Sequence, residues 1–189
     1  MRVLITFALV GAALASLTAC GKGAPGLPRA LGPVSVADLP HRKAGLWRQT
    51  VVLTGSKAIL PETRSCSDAL SESKLNLLGQ HRSKDLCQQQ DFTRNPDGSI
   101  AFHVSCNLGP RGVTVSTGTI SGDFDSRYQI AMDSKTTGAE TGPPASEHQI
   151  TITMTRTGPC EPGQRGGDLI LADGRKLNLT DPAPGVRYR

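Results

Sequence analysis

The feature that most constrains this chain is a period of two in its apolar residues. Ile150, Ile152 and Met154 alternate with Thr151, Thr153 and Thr155, while Ile100, Phe102, Val104 and Cys106 alternate with Ala101, His103 and Ser105. Successive side chains of a strand point to opposite faces, so the pattern predicts a sheet with one apolar and one polar face. Tyr128, Ile130 and Met132 repeat it, and further strands are expected over 47–53 and 113–121. The turns are equally marked. Asn95-Pro96-Asp97-Gly98 separates strands over 87–93 and 99–106, with glycine where a hairpin turn needs positive φ. Gly122-Asp123 marks another turn, as does Asp173-Gly174 between 169–172 and 176–179. Residues 134–146, with Gly138, Gly142, Pro143 and Pro144, read as a long polar loop.

One segment has a different period. Ser65-Cys66-Ser67-Asp68 offers capping residues before Ala69, and Leu70, Lys74, Leu77 and Leu78 fall on one helical face before Gly79. The fold class is therefore mainly β (α+β): an antiparallel β-meander sheet, open to curling towards a barrel, with one helix packed on it. Aromatic residues make up only 4% of the chain, so the core rests on aliphatic side chains and disulfides. Trp47 reads as a core anchor in an alternating strand. There is no internal repeat and no second domain.

The amino terminus is of another kind. Met1-Arg2 is followed by an apolar run over 3–17, too short for the ~20 residues that cross a bilayer but suited to a signal peptide. The run ends in Leu17-Thr18-Ala19-Cys20, which resembles the lipobox of bacterial lipoproteins. That resemblance implies cleavage before Cys20, acyl chains on Cys20, and a membrane partner reached through this lipid alone. Gly21 rather than Asp after the cysteine points to the outer membrane of a two-membrane cell, with the domain facing the periplasm. The expected organisation is a signal peptide over 1–19, a lipidated flexible tether over 20–43, a disulfide-bonded β domain over 44–160, and a hairpin extension with a Pro-rich tail over 161–189. The net charge is +5. An exported chain does not meet nucleic acid, so this charge reads as a solvated surface.

With Cys20 committed to lipid, Cys66, Cys87, Cys106 and Cys160 remain, an even number that reads as two disulfides in an oxidising compartment. If the hairpin turn carries its usual one-residue bulge, Asn95 faces Ser99 and Phe92 lies opposite Phe102 on the apolar face. Cys106 then points inward and Cys87 outward. That parity predicts Cys66–Cys87 and Cys106–Cys160, unless a further bulge near Cys87 flips its face. No C-x-x-C occurs, and His41, His81, His103 and His148 are scattered, so no metal site is expected.

Several of these pieces together resemble domain-of-unknown-function family 3617, found in exported bacterial proteins. They are Gly45-Leu46-Trp47 opening the first strand, Cys66 before a helix, Cys87 and Cys106 flanking a hairpin, Ser121-Gly122-Asp123-Phe124, and Gly158-Pro159-Cys160 after a late Thr/Met strand. The match runs from about Ala44 to Cys160. Arg48 stands where the family has an acidic residue, and 29 residues follow Cys160. The resemblance implies the fold and the exported habitat, and it supplies no activity.

The remaining motifs carry little chemistry. Ser71-Glu72-Ser73-Lys74 matches S-x-x-K, and Lys135-Thr136-Thr137-Gly138 and Arg156-Thr157-Gly158 loosely match the K-T-G element of penicillin-recognising enzymes. No S-D-N element accompanies them, and Lys135 is expected in a loop rather than on a strand. Asp123-Phe124-Asp125 lacks the rest of a calcium loop, and Gly166-Gly167-Asp168 lacks the strand-then-helix context of a phosphate loop. No catalytic residue, cofactor or metal is expected. Two function classes follow: a non-catalytic envelope module binding a ligand or partner protein, and an inhibitor of a cell-wall hydrolase. A lined pocket between helix and sheet favours the first, and a protruding polar loop the second.

Overall fold

Eleven strands form one antiparallel sheet in the computed structural model, which describes residues 31–54, 57–75, 87–140, 143 and 145–181. The centre is the expected meander: β5 (Cys87–Arg94), β6 (Ile100–Asn107), β7 (Val113–Asp123), β8 (Arg127–Thr137) and β9 (Ala145–Gly158), each paired with the next. β1 (Gly32–Val34) flanks β5. On the other side β9 pairs with β2 (Gly45–Leu53), β2 with β4 (Thr63–Ser67), β4 with β10 (Asp168–Ile170), and β10 with β11 (Lys176–Asn178). β3 (Ala58–Ile59) also pairs with β2. The sheet is not closed, since β1 and β11 are its two ends.

Period two does what it predicts. Ile100, Phe102, Val104, Ile120, Tyr128, Ile130 and Met154 face one side with Trp47 and form a single buried cluster. Trp47 is fully buried, donates Nε1–H to the Lys43 carbonyl (2.9 Å), and meets the Tyr128 ring edge-on at 5.6 Å. Threonines and charged residues occupy the other face.

Four expectations change. Residues 134–146 are mostly strand: Ser134 pairs with His148, Lys135 with Glu147, and Thr136 with Ser146. Here the strands rise past the core, so both faces are polar and alternation is lost, while hydroxyl ladders such as Thr114–Thr136 (2.8 Å) hold the inner side. Only residues 138–144 remain between β8 and β9, and the Glu140 N–H donates to the Pro110 carbonyl (2.8 Å).

The segment 32–43, expected as tether, belongs to the domain. β1 pairs with β5, a 3-10 turn follows at Val36–Asp38, and Leu39 is 2% exposed within the core. Its Pro-rich sequence has no period because it is held by tertiary contacts alone.

The α-helix is α1 (Ala69–Lys74). Asp68 is the N-cap of a reciprocal box with Ser71, as its position suggested. The face is not the expected one: Leu70 is exposed, while Ser71, Glu72 and Leu75 are buried. A six-residue helix is oriented by its cap and ion pair rather than by a stripe. Leu77, Leu78 and Gly79 lie outside the described residues.

The disulfides are Cys66–Cys160 and Cys87–Cys106, not the expected pairing. The hairpin register itself is as expected, with Phe92 opposite Phe102 and the Asn95 N–H bonded to the Ser99 carbonyl (2.9 Å). A second bulge then intervenes: Cys87 pairs with Cys106 and Gln89 with Ser105, so Gln88 is the extra residue. It flips Cys87 to the face of Cys106 and permits the direct bridge. Cys66 is thereby free for Cys160. That bridge passes over β2, whose Leu46 is paired with Cys66 on one side and Gly158 on the other.

Candidate functional site

Several buried polar groups of this domain, Arg42, Ser67, Ser71 and Glu72, gather under α1. Glu72 points inward because the Asp68 cap fixes the helix phase, and Arg42 reaches it from the segment that enters β2. The Glu72 Oε1 accepts from Arg42 Nε (2.9 Å) and from Ser67 Oγ (2.7 Å), with Arg42 Nη2 at 2.7 Å. Oε2 accepts from the Arg42 backbone N–H (2.9 Å). Both side chains are more than nine-tenths buried. Burial opposes the charge on Arg42, but Tyr128 and Glu72 outweigh it and raise the pKa above its ordinary value. A buried ion pair of this kind fixes geometry more than it adds stability, and it is costly to break by half.

Beside this pair lies a cavity of about 80 Å³ between α1 and the sheet. Its polar end is formed by Arg42, Ser65, Ser71 and Tyr128, and its apolar wall by Leu75, Ile130, Ile152, Met154 and Leu169. The Tyr128 hydroxyl and Ser65 Oγ are both buried; the Arg42 guanidinium lies beside the hydroxyl, while Ser65 Oγ has no hydrogen-bond partner among the described residues. Tyr128 is 1% exposed. Burial pushes its phenol up to about 12, and the nearby Arg42 guanidinium opposes that rise by its charge and by a hydrogen bond to the hydroxyl.

The residues singled out from the sequence lie elsewhere or are otherwise engaged. Ser71 Oγ donates to the Asp68 carbonyl (3.0 Å) and accepts from the Asp68 N–H (2.9 Å), while Lys74 ends α1 on its exposed side. Lys135 sits on β8, not in a loop, and its cross-strand partner is Glu147. Arg156 Nε donates to the Ala44 carbonyl (2.9 Å), and Thr157 Oγ1 to that of Leu46 (3.2 Å). Asp123 makes a turn: its carboxylate accepts from the Asp125 N–H (2.8 Å) and Ser126 Oγ (2.6 Å). Gly166 packs on Asp68, and the Gly167 N–H donates to the Cys66 carbonyl (2.9 Å). Among the described residues no three His, Cys, Asp or Glu side chains converge as metal ligands. Cys20 and His81 lie outside the described residues.

Sequence reasoning missed Arg42, Ser65, Glu72 and Tyr128 as a group. Tyr128 was legible as an inward strand residue, but Arg42 lay in the supposed tether and Glu72 inside a motif read for its serine and lysine. The fold alone joins them.

No curated protein and no solved structure matches this chain. A family model described as a protein of unknown function (DUF3617) matches residues 42–160, a span that begins at the buried arginine and ends at the last cysteine of the two disulfides. With well over half its length matched, from Arg42 to Cys160, the chain belongs to the DUF3617 family.

Proposed function

We propose that this protein is an exported, non-catalytic binding module, held on a membrane by lipid on Cys20, that takes a small ligand between α1 and the sheet. The observation that carries the reading is the cavity of about 80 Å³ between α1 and the sheet, with the buried Arg42 at its wall and an aliphatic lining of Leu75, Ile130, Ile152 and Met154. Support for a non-catalytic role comes from Ser71, whose hydroxyl is spent on the helix cap.

The anchor is supported by Leu17-Thr18-Ala19-Cys20. Leu31, the first described residue, lies eleven positions after Cys20, a stretch that reaches at most about 40 Å. The site would then lie close to the bilayer surface.

The test uses the full-length chain purified from membranes under non-denaturing conditions. Native mass spectrometry should show a small molecule that is released on unfolding; protein that is ligand-free in every preparation would refute the binding role. Cys20→Ser should block lipid labelling and processing. A correctly cut, lipid-labelled Cys20→Ser protein would refute the anchor.

A further inference from the structure

On the face of the sheet turned away from the core, β8 carries side chains of two kinds. Arg127, Gln129, Ala131 and Asp133 alternate with the inward Tyr128, Ile130 and Met132, and all four are exposed. Around the middle of this row the neighbours bear no charge: Ser121 and Thr153 stand beside Gln129, and Thr119 and Thr151 beside Ala131. Arg127 and Asp133 stand outside every ion pair formed among the described residues. Over Ala131 the face sinks into a shallow depression of about 300 Å³, with Asp133, Gln149 and Thr151 on its wall. One half of β8 thus projects two long side chains, and the other half offers a hollow with a carboxylate beside it.

The geometry points to a second copy of this chain as the partner of this face. A two-fold axis that lies in the face and crosses β8 at Ile130 turns one half of the strand onto the other. Gln129 and Ala131 stand one residue to either side of that axis, and Arg127 and Asp133 three residues to either side. In the dimer each Gln129 enters the hollow over Ala131 of the other copy, and each Arg127 meets its Asp133. Symmetry makes both contacts twice. The opposite setting, β8 parallel to β8, would put arginine on arginine, so charge selects the antiparallel one. From β6 through β9 to β2, and from the Arg127 row to the Asp133 row, the patch measures about 24 by 24 Å, on the order of 600 Å² per copy. That is the size of a weak, reversible interface. This dimer is independent of any ligand under α1.

The test is sedimentation equilibrium of the full-length chain in excess neutral detergent, with the two charges reversed singly and exchanged together. The unaltered protein should show a monomer–dimer equilibrium that weakens as salt is added. Arg127→Asp and Asp133→Arg should each weaken it by about tenfold or more, because the axis repeats every like-charge contact. The chain carrying both substitutions should return to within about twofold of the original, since the exchange restores opposite charges across the axis. Ala131→Trp, which fills the hollow, should also break the dimer. All three positions are exposed, so the variants should keep the parent's melting temperature, which is measured alongside. A monomer at every concentration overturns the proposal. So does a dimer indifferent to either reversal or to Ala131→Trp, or a loss that the exchange does not restore. A chain that stays monomeric while a glycan or a different protein occupies this face assigns the face to that partner and equally overturns it.

Discussion

Removing the Cys66–Cys160 bridge should cost more stability than removing Cys87–Cys106, by an amount that the topology fixes. The bridges close segments of 94 and 19 residues. Confining an unfolded chain gains stability with the logarithm of loop length, giving about 4.7 kcal/mol for the long loop and about 3.2 kcal/mol for the short one. The short bridge lies inside the long loop and shortens its path, which lowers the larger figure by only about 0.2 kcal/mol because the dependence is logarithmic. Removing the short bridge restores that path to the long loop, so the term enters both removals and the difference stays at about 1.4 kcal/mol, tenfold in the unfolding constant. Cys66→Ala with Cys160→Ala, and separately Cys87→Ala with Cys106→Ala, would be compared by urea unfolding at equal slopes. A larger loss for the short bridge would refute the entropic reasoning, and a Cys66–Cys87 peptide in non-reducing mapping would refute the pairing itself.

Two further outcomes follow from the buried charges. Glu72→Ala leaves Arg42 buried without its counter-ion and should cost about 3–5 kcal/mol, whereas Arg42→Met combined with Glu72→Leu should recover most of that; equal urea midpoints for the single and double variants would show that the pair is not coupled. At Asp168, burial opposes ionisation, but the Arg165 N–H, the Asn178 amide and the Lys176 ammonium outweigh it and lower the carboxyl's pKa below its ordinary value. Stability from a depressed carboxyl is complete above its unfolded pKa, about 4, and is lost as pH falls through the lower folded value. Asp168→Asn should therefore flatten the acid limb of the Tm–pH curve below about pH 4, and an unchanged limb would rule Asp168 out as a contributor.

What the sequence revealed follows from where local rules suffice. The hairpin at Asn95–Gly98 was legible because Gly98 takes positive φ (83°) and the Asp97 carboxylate accepts from the Ser99 N–H (2.9 Å), both functions of adjacent residues. The core strands were legible because each is apolar on one face. Polar strand ends over 134–137 and 145–148 were not, since their partners rather than their own pattern make them strands. Gln88 left no mark as a bulge, yet it decides which cysteine Cys87 can reach. The candidate site was the least legible part: Arg42 and Glu72 meet 30 residues apart, and nothing near either announces the other.

The two ends of the open sheet bear on how copies of this protein meet. A sheet with exposed edges presents rows of unpaired peptide groups on which another chain can add. Here the terminal strands β1 and β11 are three residues each, about 10 Å of edge. Pro33 lacks an N–H to offer. Among the described residues, a neighbouring molecule lying against either terminal strand thus gains only a three-residue ladder.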